Sequence, residues 1–556
     1  MNIKHLKSVE RYMKKTLSGV ILLCFMSFIS FLNAEISEES YDTCTTISAG
    51  KKATIDGSTI VTHNDDSSIA DFRLWIIPEA DWPENARRDI VIYSHDYVDY
   101  GKNPPIYPDI DPSGSPAARI VGSMPQVKHT YRYLHSRYSF MNEKGVAMGE
   151  TTISIDTSTD YGKEVERVMI DESDGIIDCW LAQDIALERA TTAKEAVKII
   201  GDLLNTYRWH KQPGECINIT DGNEVWIMEI YGRDIWVAFK LPDNAVFVSA
   251  NRARINNINL ADKKNVMYSP NLISFAVRQG WYDNKSNKPF RPAEIYCPNN
   301  TIYSSRREWR AFDLIAPSLQ LSPHETEYPL YVVPDYPLSV SDVFKIKGDY
   351  YQGTEYDLSV GLAGGPWGNP IRGSGFERAI GIHRTCYLQI SQVKSWLPDP
   401  IKGISWFGYG HPATTYLTPL WAKMNKLPEF YQTGSRYEPF DPNSGWWINI
   451  YVQTIANLSW KNVLSDIVEF RDPIMTAQYV ETEEIQNQAA LIYKENPDEA
   501  INLISNYAYS RANQWFNSWK ELGNELFSKY WYIYGTNASN LPEWWLEGIG
   551  YTEPVR

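Results

Sequence analysis

Residues 44–58, Cys-Thr-Thr-Ile-Ser-Ala-Gly-Lys-Lys-Ala-Thr-Ile-Asp-Gly-Ser, predict the opening of a β-sheet. The run from Cys44 to Ser48 is short and β-prone, and the Asp-Gly pair at 56–57 is a turn signal. Residues 58–63 are a second predicted strand. We therefore expect the strand that Cys44 opens to pair with the strand that follows the turn.

The segment before Cys44 has the pattern of an export signal. Five basic residues precede an apolar run at 17–32, and Ala34 is a small residue at a suitable cleavage position. We predict a signal peptide at 1–34 and a short polar leader at 35–43 that is removed on maturation. The protein is then periplasmic, attached to the cell surface or secreted. The alternative is an uncleaved membrane anchor, although the apolar run is short for a full span.

The composition of the 556 residues indicates a globular protein. Hydrophobic residues make up 43% and charged residues 22%, which is outside the range of disordered chains. The net charge of -15 argues against a nucleic-acid partner, because phosphate binding needs clustered Lys and Arg. No second apolar stretch is long enough to cross a bilayer, so we expect no stable membrane span after the signal is removed. The sequence leaves the oligomeric state open.

The order of predicted elements indicates an α+β fold. Two layers of sheet flanked by helices accommodate this order, with a core at 44–440 and a helical C-terminal region at 441–556 packed on it. The predicted segments are a strand pair at 140–154, two helices within 176–207, a β-meander at 216–250, loops and short helices at 255–350, a β-rich block at 357–418 and helices at 444–535.

Cysteine is the best candidate for a nucleophile in this sequence. The chain has no HExxH or HxH histidine pair, no GxSxG elbow and no phosphate-binding loop, so metal, serine-hydrolase and nucleotide chemistry are disfavoured, and no cofactor or metal is expected. Five cysteines remain after export, none in a CxxC pair. We expect the four beyond Cys44 to be buried rather than paired in disulfides.

The position of Cys44 favours a particular kind of catalysis. A thiol needs a base, and His63, His383 or His411 are available for a Cys–His pair. Cleavage between Thr43 and Cys44 would instead create a free α-amine, with a pKa of about 7.7–8.0. Such an amine can accept the thiol proton near neutral pH, and its geometry is almost built into the residue.

Several motifs in order resemble the bacterial dipeptidase family of N-terminal-nucleophile cysteine hydrolases, to which secernins and, more distantly, bile-salt hydrolases and penicillin V acylases are related. The resemblance extends over nearly the whole mature chain and implies a four-layer αββα sandwich. The motifs are residues 44–58 with His-Asn-Asp-Asp at 63–66, Asn-Glu-Lys-Gly-Val-Ala-Met-Gly-Glu-Thr-Thr at 142–152, Ser-Ala-Asn-Arg-Ala-Arg-Ile at 249–255, Gly-Gly-Pro-Trp-Gly-Asn-Pro at 364–370 and Glu-Arg-Ala-Ile-Gly-Ile-His-Arg-Thr at 377–385.

The resemblance implies roles for individual residues. Cys44 matches the nucleophile, and Asp66 matches the acid that contacts the nucleophile's α-amine. Asn251 matches an amide donor of the oxyanion hole, which can be worth roughly 3 kcal/mol. Arg384 matches an arginine near the nucleophile. For each of the last three, a plain structural role (turn cap, loop residue or surface residue) is the alternative.

Two positions depart from the distant relatives. A second asparagine of the bile-salt hydrolases falls near Thr151 or Thr152 here, and His63 stands where those relatives carry arginine. A dipeptidase must also hold the free amine of its substrate. Glu150 is our candidate for that role, with Thr152 beside it, although Glu150 could equally be a solvated strand residue.

We therefore predict an exported cysteine dipeptidase that hydrolyses short peptides through an acyl-enzyme on Cys44. The first alternative is an acylase of the same fold that acts on bile-salt or penicillin V amides. The second is a catalytically inactive envelope binding protein that keeps the fold and retains the chain before Cys44.

Overall fold

The structure of the protein is a computed structural model that describes residues 43–68, 70–92, 118–371, 377–532 and 541–551. These residues belong to one compact unit. The predicted signal peptide and the leader, apart from Thr43, lie outside the described residues. Among the helices that the structure describes, none combines the length and the apolar character needed to cross a membrane.

Antiparallel strands form the centre of the molecule. The strands are β1 (Thr46–Ala49), β2 (Thr59–Asp65), β3 (Trp75–Ile77), β4 (Ala80–Asp81), β5 (Arg87–Ile92), β6 (Arg119–Pro125), β7 (His129–Thr130), β8 (Tyr133–His135), β9 (Ser139–Asn142), β10 (Ala147–Ile153), β11 (Gly214–Thr220), β12 (Val225–Gly232), β13 (Ile235–Lys240), β14 (Val246–Ser249), β15 (Val266–Tyr268), β16 (Tyr387–Val393), β17 (Gly403–Tyr409) and β18 (Thr418–Leu420).

Two large sheets contain most of these strands. One has six strands in the order β14-β1-β2-β16-β17-β18, and the other has eight in the order β15-β13-β12-β11-β10-β9-β8-β3. All the neighbouring strands in both sheets are antiparallel. The predicted return of the first strand is confirmed, since Ser48 pairs with Val61.

The two large sheets contact each other through buried polar side chains. The Thr59 and Thr220 hydroxyls lie 2.6 Å apart, and those of Thr151 and Ser249 lie 2.7 Å apart. Gly149 allows β2 and β10 to approach closely, because a Cβ at this position would lie 2.2 Å from the Thr62 carbonyl oxygen. A larger residue would therefore push β2 and β10 apart.

Helices lie against both sheets and form the C-terminal part of the chain. The α-helices are α1 (Asp160–Glu166), α2 (Cys179–Arg189), α3 (Ala193–Tyr207), α4 (Leu272–Gln279), α5 (Pro292–Tyr296), α6 (Ile302–Ile315), α7 (Val340–Lys347), α8 (Gly361–Gly364), α9 (Asp399–Lys402), α10 (Gly445–Leu458), α11 (Trp460–Ile492), α12 (Pro497–Tyr530) and α13 (Glu543–Gly548). A π-helix follows α1 at Arg167–Asp171, and 3-10 turns lie at Pro317–Leu319, Pro412–Thr414 and Glu429–Tyr431.

Packing of these helices follows their apolar faces. Helices α2 and α3 share a buried cluster with β11 and β12 of the eight-stranded sheet. In the helical tail, Trp515 stacks on Tyr416 with ring centroids 4.7 Å apart, and Trp519 is fully buried. The α+β fold with antiparallel sheets and a helical C-terminal region is thus confirmed, and the aromatic residues of the tail serve packing.

Two details correct the predictions. The meander is interrupted, because β14 leaves the eight-stranded sheet and pairs with β1, while β15 takes the place beside β13. The β-rich block has its strands only from Tyr387 onward in the described residues, because short turns and α8 come before them.

Candidate active site

Cys44 lies two residues before β1 and is fully buried. Main-chain hydrogen bonds fix it from both sides. Its N–H donates to Oδ1 of Asn251 at 3.2 Å, and its carbonyl oxygen accepts from Nη1 of Arg307 at 2.8 Å. The residue therefore has a defined position between the end of β14 and helix α6.

The Cys44 thiol lies against an acid and an imidazole. Its Sγ is 3.3 Å from Nε2 of His63 and 3.6 Å from Oε1 of Glu150. The same His63 nitrogen is 2.9 Å from that Glu150 oxygen, and both side chains are buried. Burial raises the pKa of Glu150, but the charge and hydrogen bond of His63 outweigh burial, so the pKa is lowered overall. Glu150 is therefore ionised near neutral pH.

A second carboxylate lies on the same face of the sheet as Glu150. Thr152 pairs with Glu215 across β10 and β11, so Glu150 is the diagonal neighbour of Glu215. The Thr152 hydroxyl donates to Glu215 at 3.2 Å, and Glu215 is 4% exposed. Of the predicted substrate-binding pair, Glu150 thus contacts Cys44 and Thr152 contacts Glu215, and neither is a solvated strand residue.

Asn251 lies at a position where the backbone has a positive φ. Its φ of 65° is in the left-handed region, which asparagine and glycine adopt at the least cost. Its Nδ2 donates to the Thr152 carbonyl at 2.8 Å, and its Oδ1 accepts from Arg307 as well as from Cys44. The side chain thereby ties β10 to the nucleophile, and its predicted oxyanion role stays a prediction.

The bond between Thr43 and Cys44 is surrounded by charged residues on its other side. The Asp66 N–H donates to the Thr43 carbonyl oxygen at 3.1 Å. The Thr43 hydroxyl accepts from Arg384 at 2.7 Å and from Arg378 at 3.2 Å. Arg384 therefore lies next to the bond preceding the nucleophile.

The Asp66 carboxylate accepts hydrogen bonds from three side chains while the Thr43–Cys44 bond is intact. It accepts hydrogen bonds from Arg378, from the Asn64 amide and, at 2.6 Å, from the Thr385 hydroxyl. The predicted contact between Asp66 and the α-amine of Cys44 stays a prediction, because Cys44 still carries a peptide bond.

Positive charge accumulates around this bond. The ammonium group of Lys347, at the end of α7, donates to the Thr45 carbonyl and to Asn64. Burial lowers the pKa of Lys347 to about 7, and burial with the nearby charge of Arg378 lowers the pKa of Arg307 to about 10. Burial, together with the charges of Arg384 and Arg378, lowers the pKa of His383 to about 4. Burial lowers the pKa of Arg378, but the nearby Asp66 charge raises it overall, so Arg378 keeps positive charge beside this bond.

A pocket in the described part of the chain runs beside these arginines. Its lining includes Glu377, Ala379, Ile382, His383 and His411. Arg378 and Arg384 are sequence neighbours of these lining residues.

The remaining cysteines are not placed for nucleophilic chemistry. Cys179, Cys216, Cys297 and Cys386 are buried, as predicted. Burial raises the pKa of Cys216, Cys297 and Cys386, which disfavours their reactive thiolate forms.

Among the residues that the structure describes, two groups of side chains offer donor atoms close enough for a metal ion. They are Cys44, His63 and Glu150, and Glu150, Cys179 and Glu215. Sulfur, imidazole and carboxylate donors together fit a zinc-like ion. The expectation of metal-free catalysis stays a prediction.

Comparison with known proteins fits this site. The sequence profile of Peptidase family C69 matches residues 43–472, which begins one residue before Cys44. The chain belongs to peptidase family C69. The predicted family and the prediction of a cysteine-type peptidase are thereby confirmed.

Curated relatives cover most of this chain. A probable dipeptidase of Latilactobacillus sakei is 28% identical over 70% of this chain and 76% of its own length. A probable dipeptidase of Salmonella dublin is 26% identical over 72% and 83%, respectively. Dipeptidase A of Lactobacillus helveticus is 24% identical over 75% and 82%.

The structure brings all six predicted site residues to the Thr43–Cys44 bond or its neighbours. Sequence reasoning missed Arg307, Lys347 and Arg378, which lie in or after the region predicted as decorating loops. Helix α6 is 14 residues long, and Arg307 is fully buried on it. A buried arginine has no local sequence signal, although three arginines within 306–310 of a helical stretch hinted at one.

Proposed function

We propose that this C69 peptidase is an exported cysteine dipeptidase of the N-terminal-nucleophile type, whose mature chain begins at Cys44. The observation that carries the proposal is the Cys44 thiol, buried and in contact with His63 and Glu150, at the start of the family match. Dipeptide substrates are supported by the relatives named dipeptidase. The sheet pair with helices on both sides supports the four-layer αββα arrangement.

Each step has a residue near it. The α-amine of Cys44 takes the thiol proton, and the thiolate attacks the carbonyl carbon of the substrate peptide bond. Asn251 and the Asp66 N–H lie next to the nucleophile and stabilise the oxyanion. The amine returns its proton to the leaving amine, and water then hydrolyses the thioester. Asp66 and Arg384, which contact Thr43 in the uncut chain, line the space that Thr43 leaves after cleavage.

Dipeptide specificity follows from the charges on the two sides of Cys44. The Glu150 carboxylate, with Glu215 diagonal to it, attracts the free ammonium group of a dipeptide. Blocking that ammonium with an acetyl group removes the attraction, so the N-acetyl form of a dipeptide is expected to be the poorer substrate.

A substrate panel tests the proposal. Free dipeptides, their N-acetyl forms, a glycine-conjugated bile salt and penicillin V are offered to the wild type and to Cys44→Ala. We expect hydrolysis of free dipeptides by the wild type alone. Cleavage of the acylated amides without dipeptide cleavage would instead identify an acylase, and binding without any hydrolysis would identify an inactive binding protein.

A further inference from the structure

Hydrogen-bond donors converge on Thr43, the residue before the proposed mature start. Its carbonyl oxygen accepts from the Asp66 N–H at 3.1 Å, and its hydroxyl accepts from Arg384 at 2.7 Å and from Arg378 at 3.2 Å. The Tyr303 hydroxyl also hydrogen-bonds Thr43. When the leader is gone, these donors lose their shared partner. A group that takes the place of Thr43 should offer oxygen acceptors, because a buried donor without a partner is costly.

Arg384 is the cation best placed for a new partner. Its Nε donates to the main-chain oxygen of Asp66 at 2.9 Å, and its Nη2 donates to the Thr43 hydroxyl. Arg378 is paired with the Asp66 carboxylate, whereas Arg384 pairs with no carboxylate among the residues that the structure describes. Arg384 is also partly exposed, so a group from solvent can reach it. A guanidinium binds a carboxylate more strongly than it binds a neutral oxygen.

Tyr303 shows the sign of the charge at this place. It is 40% exposed, and the Arg307 guanidinium lies 4.9 Å from its ring centroid. Burial of its hydroxyl raises its pKa, but nearby arginines and the Thr43 hydrogen bond outweigh burial and lower the pKa to about 8. These arginines are Arg378, Arg307 and Arg384. The surroundings therefore stabilise an anion on the phenol oxygen, and an anionic oxygen of a ligand is stabilised there for the same reason.

The two charges of a dipeptide both lie close to the bond that is cut. The ammonium nitrogen is two bonds from the attacked carbonyl carbon and the carboxylate carbon is three bonds from it, so each lies within about 4 Å. The Thr43 hydroxyl oxygen is likewise three bonds from the carbonyl carbon that precedes Cys44. On the sheet side, Oε1 of Glu150 lies 3.6 Å from Sγ. The acids of the sheet side and the arginines at Thr43 therefore favour one orientation of a zwitterionic dipeptide.

We propose that Arg384, with the Tyr303 hydroxyl beside it, binds the C-terminal carboxylate of a dipeptide at the place that the Thr43 side chain occupies in the uncut chain. The proposal rests on the proposed dipeptidase activity and names the residues that limit substrate length. A tripeptide carries its carboxylate one residue, about 3.3–3.6 Å, further from the attacked bond when extended. A dipeptide amide has no negative charge at this end. Both are therefore poor substrates, although their first residue and free ammonium group are unchanged.

The experiment compares alanyl-alanine with its C-terminal amide in the wild type and in Arg384→Gln. We expect the wild-type kcat/KM to be about 10- to 100-fold higher for the free acid, because the amide loses a charge-assisted hydrogen bond. In Arg384→Gln this ratio should fall to within about threefold of unity, mainly through a higher KM for the free acid. The ratio cancels any change in the chemical step, which both substrates share. Arg384→Lys keeps the charge and should restore part of the ratio.

Two further variants complete the comparison. Arg167→Gln, at an exposed arginine that bonds Glu164, is the matched control and should keep the full ratio. Tyr303→Phe is the second test if Arg384→Gln does not give a native circular dichroism spectrum. It removes one hydroxyl and keeps the ring, so the ratio should fall about two- to tenfold. Tyr336→Phe, at a tyrosine that is 48% exposed, is its control and should leave the ratio unchanged.

The outcomes separate this site from the proposed activity. Equal kcat/KM values for the acid and the amide in the wild type would overturn the carboxylate site and leave the dipeptidase activity in place. The same holds for a full ratio in Arg384→Gln or, where that variant is not native, in Tyr303→Phe. A full ratio together with a changed preference among first residues would assign the place of Thr43 to the first side chain of the substrate. A wild type that cleaves neither compound would refute the dipeptidase activity, and the carboxylate site with it.

Discussion

The two sides of the Thr43–Cys44 bond are built differently. On the sheet side, β2, β10 and the end of β14 supply His63, Glu150 and Asn251, of which the first two contact the thiol. On the helix side, α6 and α7 supply Arg307 and Lys347, which contact main-chain oxygens of residues 44 and 45. The sheet side therefore holds the groups for proton transfer, and the helix side holds the nucleophile in position. Changes on the first side should affect rate, and changes on the second should affect stability.

The largest effect is expected where the two sides meet. Cys44→Ala removes the nucleophile, so hydrolysis of a dipeptide should fall by more than about 10⁴-fold while the circular dichroism spectrum stays native. Cys216→Ala, at another buried thiol, is the control and should retain more than a tenth of the activity. Dipeptide cleavage by Cys44→Ala at the wild-type rate would place the active site elsewhere.

A variant at Asn251 examines the sheet side. Asn251→Gly removes the side-chain amide but suits the φ of 65°, so backbone strain does not confuse the result. We expect kcat to fall about 10²–10³-fold, as for other oxyanion donors. Gln320→Gly is the matched control, because Gln320 is exposed and also has a positive φ of 49°. Equal kcat values for the two variants would mean that Asn251 only shapes the loop.

A variant at Arg307 examines the helix side. Arg307→Met leaves the carbonyl oxygens of Cys44 and Ala250 and the Oδ1 of Asn251 without this donor. The free energy of unfolding should fall by about 3 kcal/mol, measured by urea denaturation. Arg167→Met, at an exposed arginine, should change it by less than about 0.5 kcal/mol. An unchanged stability in Arg307→Met would refute the positioning role of the helix side.

The smallest expected effect is a pH dependence from Lys347. Burial lowers its pKa from 10.5 to about 7, so between these values the unfolded chain binds a proton that the folded chain lacks. The free energy of unfolding should therefore rise with pH in this window, by at most about 1.4 kcal/mol per unit. Lys347→Met should lack this rise in urea denaturation at pH 7, 8 and 9. Lys345→Met, at an exposed lysine of the same helix, should keep it, and identical slopes in both variants would contradict the assignment.

The comparison also shows what could be predicted from the sequence. Strands on the sheet side follow local signals such as the Asp-Gly turn at 56–57. The family resemblance implied that Cys44 and Asn251 share one site, and Glu150 was a candidate beside them. The helix side depends on long-range packing, because Arg307 and Cys44 are 263 positions apart. No periodicity within α6 shows which of its arginines is directed at the nucleophile. His63 was one of three histidines available for a Cys–His pair, and its contact with the thiol depends on how closely β2 and β10 approach at Gly149.

The central claim is that Cys44 is the first residue of the active enzyme. Intact mass and N-terminal sequencing of purified protein that hydrolyses dipeptides test it most directly. The account predicts a chain that begins at Cys44, with residues 1–43 absent. A fully active chain that begins at Glu35 would contradict it, because the nitrogen of Cys44 would then still be locked in a peptide bond.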